Sequence, residues 1–311
     1  MMLEAGLIVS RFLHDTAVLV LFGVSVFPFY AYSNQADEGP ARLDHSLHST
    51  LLGLSLVAVL TGLLWLSFTA ANMAGRLSAA ADWDALWSVL RDTSFGRVWI
   101  ARSALWAVLV AVLIRPRRIF SRHSRWQALL VLVTTGLLAS MAGVGHTQQS
   151  QGTEQLIHVS ADALHLLAAG AWIGGLWVLV YIFAQSESYE PEDVKQILLR
   201  FSGMGYIAVA VLVASGLVNS WYLIGSISGL VATSYGQLLL VKLCLFGAML
   251  GLAGANRFWL VPSLRTDVQS SQSASLRRLR RHVLAETTLG LLVVLIVGAL
   301  GTMEPAIGQM E

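Results

Sequence analysis

The sequence predicts an all-α fold: a polytopic bundle of eight transmembrane helices with both termini periplasmic. Three observations predict it. Of the 311 residues, 56% are hydrophobic and only 12% are charged, about half the charged share of a soluble domain. Mean hydropathy is +0.67. Stretches free of Asp, Glu, Lys and Arg recur at the roughly 20-residue length that a spanning helix requires. Such a chain lacks the charged surface of a soluble enzyme or a nucleic-acid binder, and it is too apolar to stay disordered. The net charge of +2 is too small to indicate a partner. The single cysteine, Cys244, lies in an apolar run. It excludes an intramolecular disulfide and any cysteine-based zinc or iron–sulfur site.

The first span, about 6–31, is not a cleavable signal. Glu4 stands where such a signal carries positive charge, and the apolar run continues past any cleavage site. The second, about 46–73, lies in a run from Leu43 to Gly75 interrupted only by Asp44. Segment 82–93 (DWDALWSVLRDT) is too short and polar to cross. Its anchors Trp83, Leu86 and Trp87 predict an interfacial periplasmic helix. The third span, about 96–114, has only a short charge-free core between Arg102 and Arg115. The fourth and fifth lie at about 125–145 and 155–184. The charge-free stretch from Phe201 to Val241 is too long for one crossing. It breaks near Gly225–Gly229 into spans at about 194–224 and 236–261, and the last span is about 280–302. Residues 1–311 form one transmembrane domain. No internal repeat is strong enough to argue for a two-fold transporter. No Walker motif and no strand-borne G-x-G-x-x-G is present.

Orientation follows from the basic residues. Fourteen of the 20 Lys and Arg residues fall in the loops after spans three and seven or at Arg42, Lys195 and Arg200, which lie on one side of an eight-span chain. That side is cytoplasmic. The other side has only Arg76, Arg91 and Arg97.

Ionisable groups inside spans are costly and mark candidate functional positions. In span five, His158, Asp162 and His165 are spaced i, i+4, i+7, within an arc of about 60° on one helix face. Imidazole suits divalent first-row metals and copper, and a neighbouring carboxylate orients the ring. The same face also reads as polar packing satisfied by neighbouring helices. Two histidines at this spacing are too far apart to share one ion, so a metal would draw on other helices. Span one carries Arg11, His14 and Asp15 on one face, with Arg11 and Asp15 spaced for an ion pair. His146 closes span four after Gly143-Val-Gly. His45 and His48 read best as interfacial histidines. In span seven, Tyr235, Lys242, Met249 and Asn256 recur every seven residues, so Lys242 needs a carboxylate among Asp162, Asp15 and Glu286. Glu286 most simply meets Arg257 or Asn256.

These pieces resemble the copper-resistance protein D family of bacterial inner-membrane proteins. The matching residues are Arg11-x-x-His14, Gly145-His146, His158-x3-Asp162-x2-His165 running to Trp172-Ile-Gly-Gly-Leu176, and Arg200-Phe-Ser202. After them come Ser215-Gly-Leu-Val-Asn219, Tyr235 to Lys242 leading to Asn256-Arg257, and Glu286 with Gly301-Thr302. The resemblance implies an inner-membrane copper protein, not an enzyme, that accepts copper at its periplasmic face and moves it across the membrane. It implies His14, His146, His158 and His165 as copper ligands, with His146 and His158 as an entry site and His14 and His165 as a deeper one. Asp162, Asp15, Arg11, Lys242, Met249 and Glu286 then serve as supporting or pathway groups. A separate periplasmic copper-binding partner is implied for delivery, and nucleic acid is not a partner. Two alternatives stand beside this. Histidines on facing helices also hold b-type haem, and a copper sensor or assembly factor would carry the same ligands without transport.

Overall fold

Among the described residues, eight helices are long and apolar enough to cross a membrane. The computed structural model describes residues 2–32, 41–114, 124–145, 152–185, 189, 191–263 and 269–309. In chain order, α1 is Met2–Ala31, α2 is Ala41–Ala74, α3 is Trp83–Asp92 and α4 is Ser94–Leu113. Helix α5, Arg125–Ala139, continues into a tighter turn at Ser140–Val144. Then come α6 (Gly152–Ala184), α7 (Pro191–Ile224), the short α8 (Ile227–Ala232) and α9 (Ser234–Ala255), which runs on as a π-helical turn at Asn256–Leu260. Helices α10 (Val261–Ser263), α11 (Gln269–Leu300) and α12 (Ala306–Gln309) complete the chain. No strand occurs among the described residues.

Local chemistry sets the boundaries. Gly75 and Gly225 have φ near +67° and +70° where α2 and α7 end, the left-handed conformation that glycine adopts without strain. Asp82, Thr93, Ser124, Ser226 and Thr233 each accept a backbone N–H from the first turn of the helix that follows, as N-caps do. The last helix begins at Gln269, eleven residues before the expected span. Hydropathy marks the apolar window and not the helix, and the polar, basic stretch ahead of it extends the same helix.

The centre of the bundle is the pair α1 and α6. Helix α1 packs on α2, α5, α6 and α11, while α6 packs on α7, α11, α1 and α5. The packed pairs α1–α2, α1–α5 and α4–α5 have counterparts in α6–α7, α6–α11 and α9–α11, so α1, α2, α4 and α5 correspond to α6, α7, α9 and α11 in these contacts. The junctions repeat as well: α3 and α8 are short helices followed by Thr93-Ser-Phe-Gly96 and Thr233-Ser-Tyr-Gly236. In both, the threonine caps the next span, and a Cβ on the glycine would lie 2.2 or 2.3 Å from a carbonyl oxygen of the short helix. The halves meet at Gly23 of α1 and Gly174 of α6. A Cβ on either would come within 2.5 Å of the other's Cα, so only glycine allows this crossing.

Candidate functional site

Two clusters of polar side chains occupy the bundle, one in each half. In the first, His14 of α1 is fully buried. Its Nδ1 donates to the Ala58 carbonyl of α2 at 2.9 Å, and its Nε2 accepts from Arg102 Nη2 of α4 at 2.8 Å. Arg102, 1% exposed, also donates to the Leu137 carbonyl at 2.5 Å and to Ser140 Oγ at 2.7 Å. The His14 ring packs against both Trp65 and Trp99, and the Arg102 guanidinium sits over Trp99. Arg11, one turn earlier, donates to the Gly301 carbonyl at 3.0 Å and sits over the Trp65 ring. It faces both Asp15 and Asp162. Asp15 stands in the fields of Arg11 and Arg102, and its Oδ1 takes no hydrogen bond.

In the second half, His158 is buried and stacks on Tyr222 of α7, with ring centroids 4.7 Å apart. One turn deeper, Asp162 accepts from Asn219 Nδ2 at 3.1 Å and faces Lys242 of α9 and Arg11 of α1. His165 is half-buried, with Nδ1 3.0 Å from Ser215 Oγ and the ring against the Leu212 carbonyl. Met249, buried, packs toward Ile173 and Gly290. Glu286 of α11, 2% exposed, accepts from Asn256 Nδ2 at 2.5 Å and from the Trp172 side chain. Beside it lies a cavity of about 270 Å³ lined by Trp172, Ser202, Asn256, Arg257 and Glu286 among apolar side chains.

Asp162 lies in the electrostatic surroundings of Lys242, Arg11 and Asp15, and Glu286 is hydrogen-bonded to Asn256. The hydrogen-bond partners of His14 lie on α2 and α4, and that of His165 Nδ1 lies on α7. His146 lies outside the described residues. Among the described residues, no three His, Cys, Asp or Glu side chains converge as a metal site. Arg102 was noted in the sequence only as a charge shortening the third span. Its position inside an apolar span was the signal for a structural or functional role.

The chain matches the family described as "Copper resistance protein D-like, N-terminal domain" over residues 2–156 and "Copper resistance protein D" over residues 195–300. It is 33% identical to "Copper resistance protein D" of Pseudomonas syringae pv. tomato across 96% of both chains. The chain belongs to the copper resistance protein D family. Other members include "Inner membrane protein YebZ" of Escherichia coli K12, 29% identical over 98% of this chain and 100% of that one. "Copper transport protein CutJ" of Bacillus subtilis is 31% identical over 98% of this chain and 53% of its own length. No solved structure matches. Family membership and eight apolar helices make this a multi-pass inner-membrane protein. The two family segments leave out residues 157–194, which hold most of α6 and the start of α7.

Proposed function

We propose that this copper resistance family member is a carrier, not an enzyme, that takes copper from a periplasmic copper-binding partner and moves it across the inner membrane. One observation carries the reading. Polar and soft side chains run along the second half from one end of α6 toward the other. The order is His158, then Asp162 with Asn219 and Lys242, then His165, then Met249, then Glu286 with Asn256. Such groups are rare inside membranes and line substrate paths. The His158 end faces the periplasm in this reading, because the opposite end carries most of the arginines. His165 has its Nδ1 anchored by Ser215, and an imidazole ligand commonly has one nitrogen anchored in this way while the other meets the metal. His158 and His165 are the ligands we assign, and His146 stays a candidate at entry. His14, with both nitrogens engaged, serves the scaffold.

The test is copper uptake into proteoliposomes alongside metal analysis of the purified protein. His165→Ala is expected to lower uptake at least about tenfold, the equivalent of one lost metal-bound imidazole or its orienting partner. His14→Ala in a folded preparation is expected to leave copper stoichiometry unchanged. Copper bound without uptake by the wild-type protein would favour a sensor or assembly role. Unchanged binding and uptake in a His158→Ala/His165→Ala protein would overturn the site.

A further inference from the structure

Helix α7 packs chiefly on α6, and α9 on α11. The cavity of about 270 Å³ lies between these pairs. Tyr206 of α7 and Phe258 of the π-helical turn line it, and they are 54% and 65% exposed within spanning helices. Side chains exposed at that depth meet acyl chains, so the cavity opens sideways into lipid. Its deep wall holds Trp172 of α6 and Glu286 of α11, both buried. The volume falls just below that of pockets that enclose a small molecule whole. An occupant of this space therefore leaves part of itself in the bilayer.

The polar groups of the wall form two sets. Arg257 and Ser202 are donors. Among the described residues, no hydrogen bond or ion pair engages the side chain of either. Ser215, further along the helix of Ser202, turns its hydroxyl back to the Val211 carbonyl at 2.6 Å, the usual solution for a hydroxyl inside a helix. Asn256 and Glu286 supply acceptors. Asn256 Nδ2 is spent on Glu286 at 2.5 Å, while Asn256 Oδ1 is buried without a partner. An orphaned buried oxygen of this kind calls for an explanation, such as a missing donor. Asn256, Arg257 and Phe258 all belong to the π-helical turn Asn256–Leu260. Such turns recur at functional sites.

We propose that this cavity binds the headgroup of a phospholipid that carries a primary ammonium, a phosphatidylethanolamine of the leaflet at the arginine-rich end of the bundle. The phosphate accepts from the Arg257 guanidinium and the Ser202 hydroxyl. The ammonium has three N–H donors and reaches Asn256 Oδ1 and the Glu286 carboxylate. The acyl chains leave past Tyr206 and Phe258 into the bilayer. One cation and one anion in the same wall suit a zwitterion better than an anionic phospholipid. The orphaned acceptor suits an ammonium better than a choline headgroup, which has no N–H to give.

The test uses the full chain, copper-free and stripped of lipid in detergent. Dioleoyl phosphatidylethanolamine, phosphatidylcholine and phosphatidylglycerol are added in turn, and retained lipid is read by native mass spectrometry across a concentration series. Phosphatidylethanolamine should be retained as one copy and bind at least about tenfold more tightly than the other two, the worth of one charge-assisted hydrogen bond. Arg257→Gln should weaken phosphatidylethanolamine and phosphatidylcholine by a similar factor, through the phosphate they share. Glu286→Gln should remove the difference between those two. Gly205 lines the same cavity, and a Cβ there meets nothing within 4 Å. Gly205→Leu should therefore fold, fill the space and abolish retention. Equal binding of the three lipids, or a Gly205→Leu protein that retains phosphatidylethanolamine like wild type, would overturn the proposal. So would glycerophosphoethanolamine, the headgroup without chains, competing as well as the lipid, since the ligand would then be a soluble one. No copper enters this experiment. Its failure leaves the carrier reading standing, and a failed uptake assay leaves this site standing.

Discussion

Glu286 shows how a single ionisable residue is kept inside this bundle. A buried carboxylate persists only where donors satisfy it, and here Asn256 and Trp172 supply them. Replacing it with leucine keeps the volume but leaves both donors without an acceptor, a loss of about 1–3 kcal/mol per group. Glutamine keeps one acceptor oxygen, and its amide can donate to Asn256 Oδ1, which is buried without a partner. Glu286→Leu is therefore expected to lower the melting temperature in detergent clearly, and Glu286→Gln only slightly. Indistinguishable melts would show that the donors find other acceptors. Arg102 and Glu286 hold carbonyl, hydroxyl, amide and indole groups, so their first contribution is to order neighbouring helices. His165, whose hydrogen bond to Ser215 engages Nδ1, is the histidine that the ligand proposal singles out.

Among the elements, α3 lies outside the spans and depends on its cap. Asp82 accepts from the Asp84 N–H and pairs with Arg76 at 2.7 Å. The Arg76 hydrogen bond, more than any other cause, holds the Asp82 carboxyl below its ordinary value of 3.8. A depressed carboxylate stabilises the folded helix above the unfolded value, and that contribution is lost as pH falls through the lower folded one. The stacked pair Trp83–Trp87, centroids 6.2 Å apart, reports on it. Its near-ultraviolet signal should hold from neutral pH to about 4 and then decline, and Asp82→Asn should abolish that acid step. An unchanged profile in the variant would assign the step to other carboxylates. The spans were legible in the sequence because each is an apolar run of sufficient length, and the α7 to α9 break was legible because Gly225 has no side chain to resist positive φ. The beginning of α11 was not, since helix propensity continues where hydropathy stops. The His14–Arg102 bond was not either. It joins residues 88 positions apart, and nothing in local spacing indicates which cation reaches which ring.

At the scale of the whole molecule, the repeat was illegible for a related reason. Matching residues are 151 apart at His14 and His165, 154 apart at Thr61 and Ser215, and 140 apart at Thr93 and Thr233. The intervening loops differ in length, and Arg11 and Asp162, each three residues before its histidine, differ in sign, so neither a fixed period nor identity reveals it. Contacts reveal it, above all where α1 crosses α6. There the neighbour of each glycine is the other's backbone, which cannot move aside as a flexible side chain can. Without a hydrophobic driving force between helices in lipid, close backbone approach of small residues is a main source of association. Substitution at either glycine should therefore separate the halves by the same mechanism. Gly23→Val and Gly174→Val are each expected to lower the melting temperature by a similar, large amount. Gly203→Ala, on a helix where a Cβ meets nothing within 4 Å, should be neutral or stabilising by up to about 1 kcal/mol through helix propensity. The comparison tests the architecture and not the metal chemistry, because neither Gly23 nor Gly174 touches His14 or His165. A Gly23→Val protein that melts with the wild type would mean that the halves are joined elsewhere. A loss at Gly23 without a matching loss at Gly174 would mean that the crossing is not the axis of the repeat.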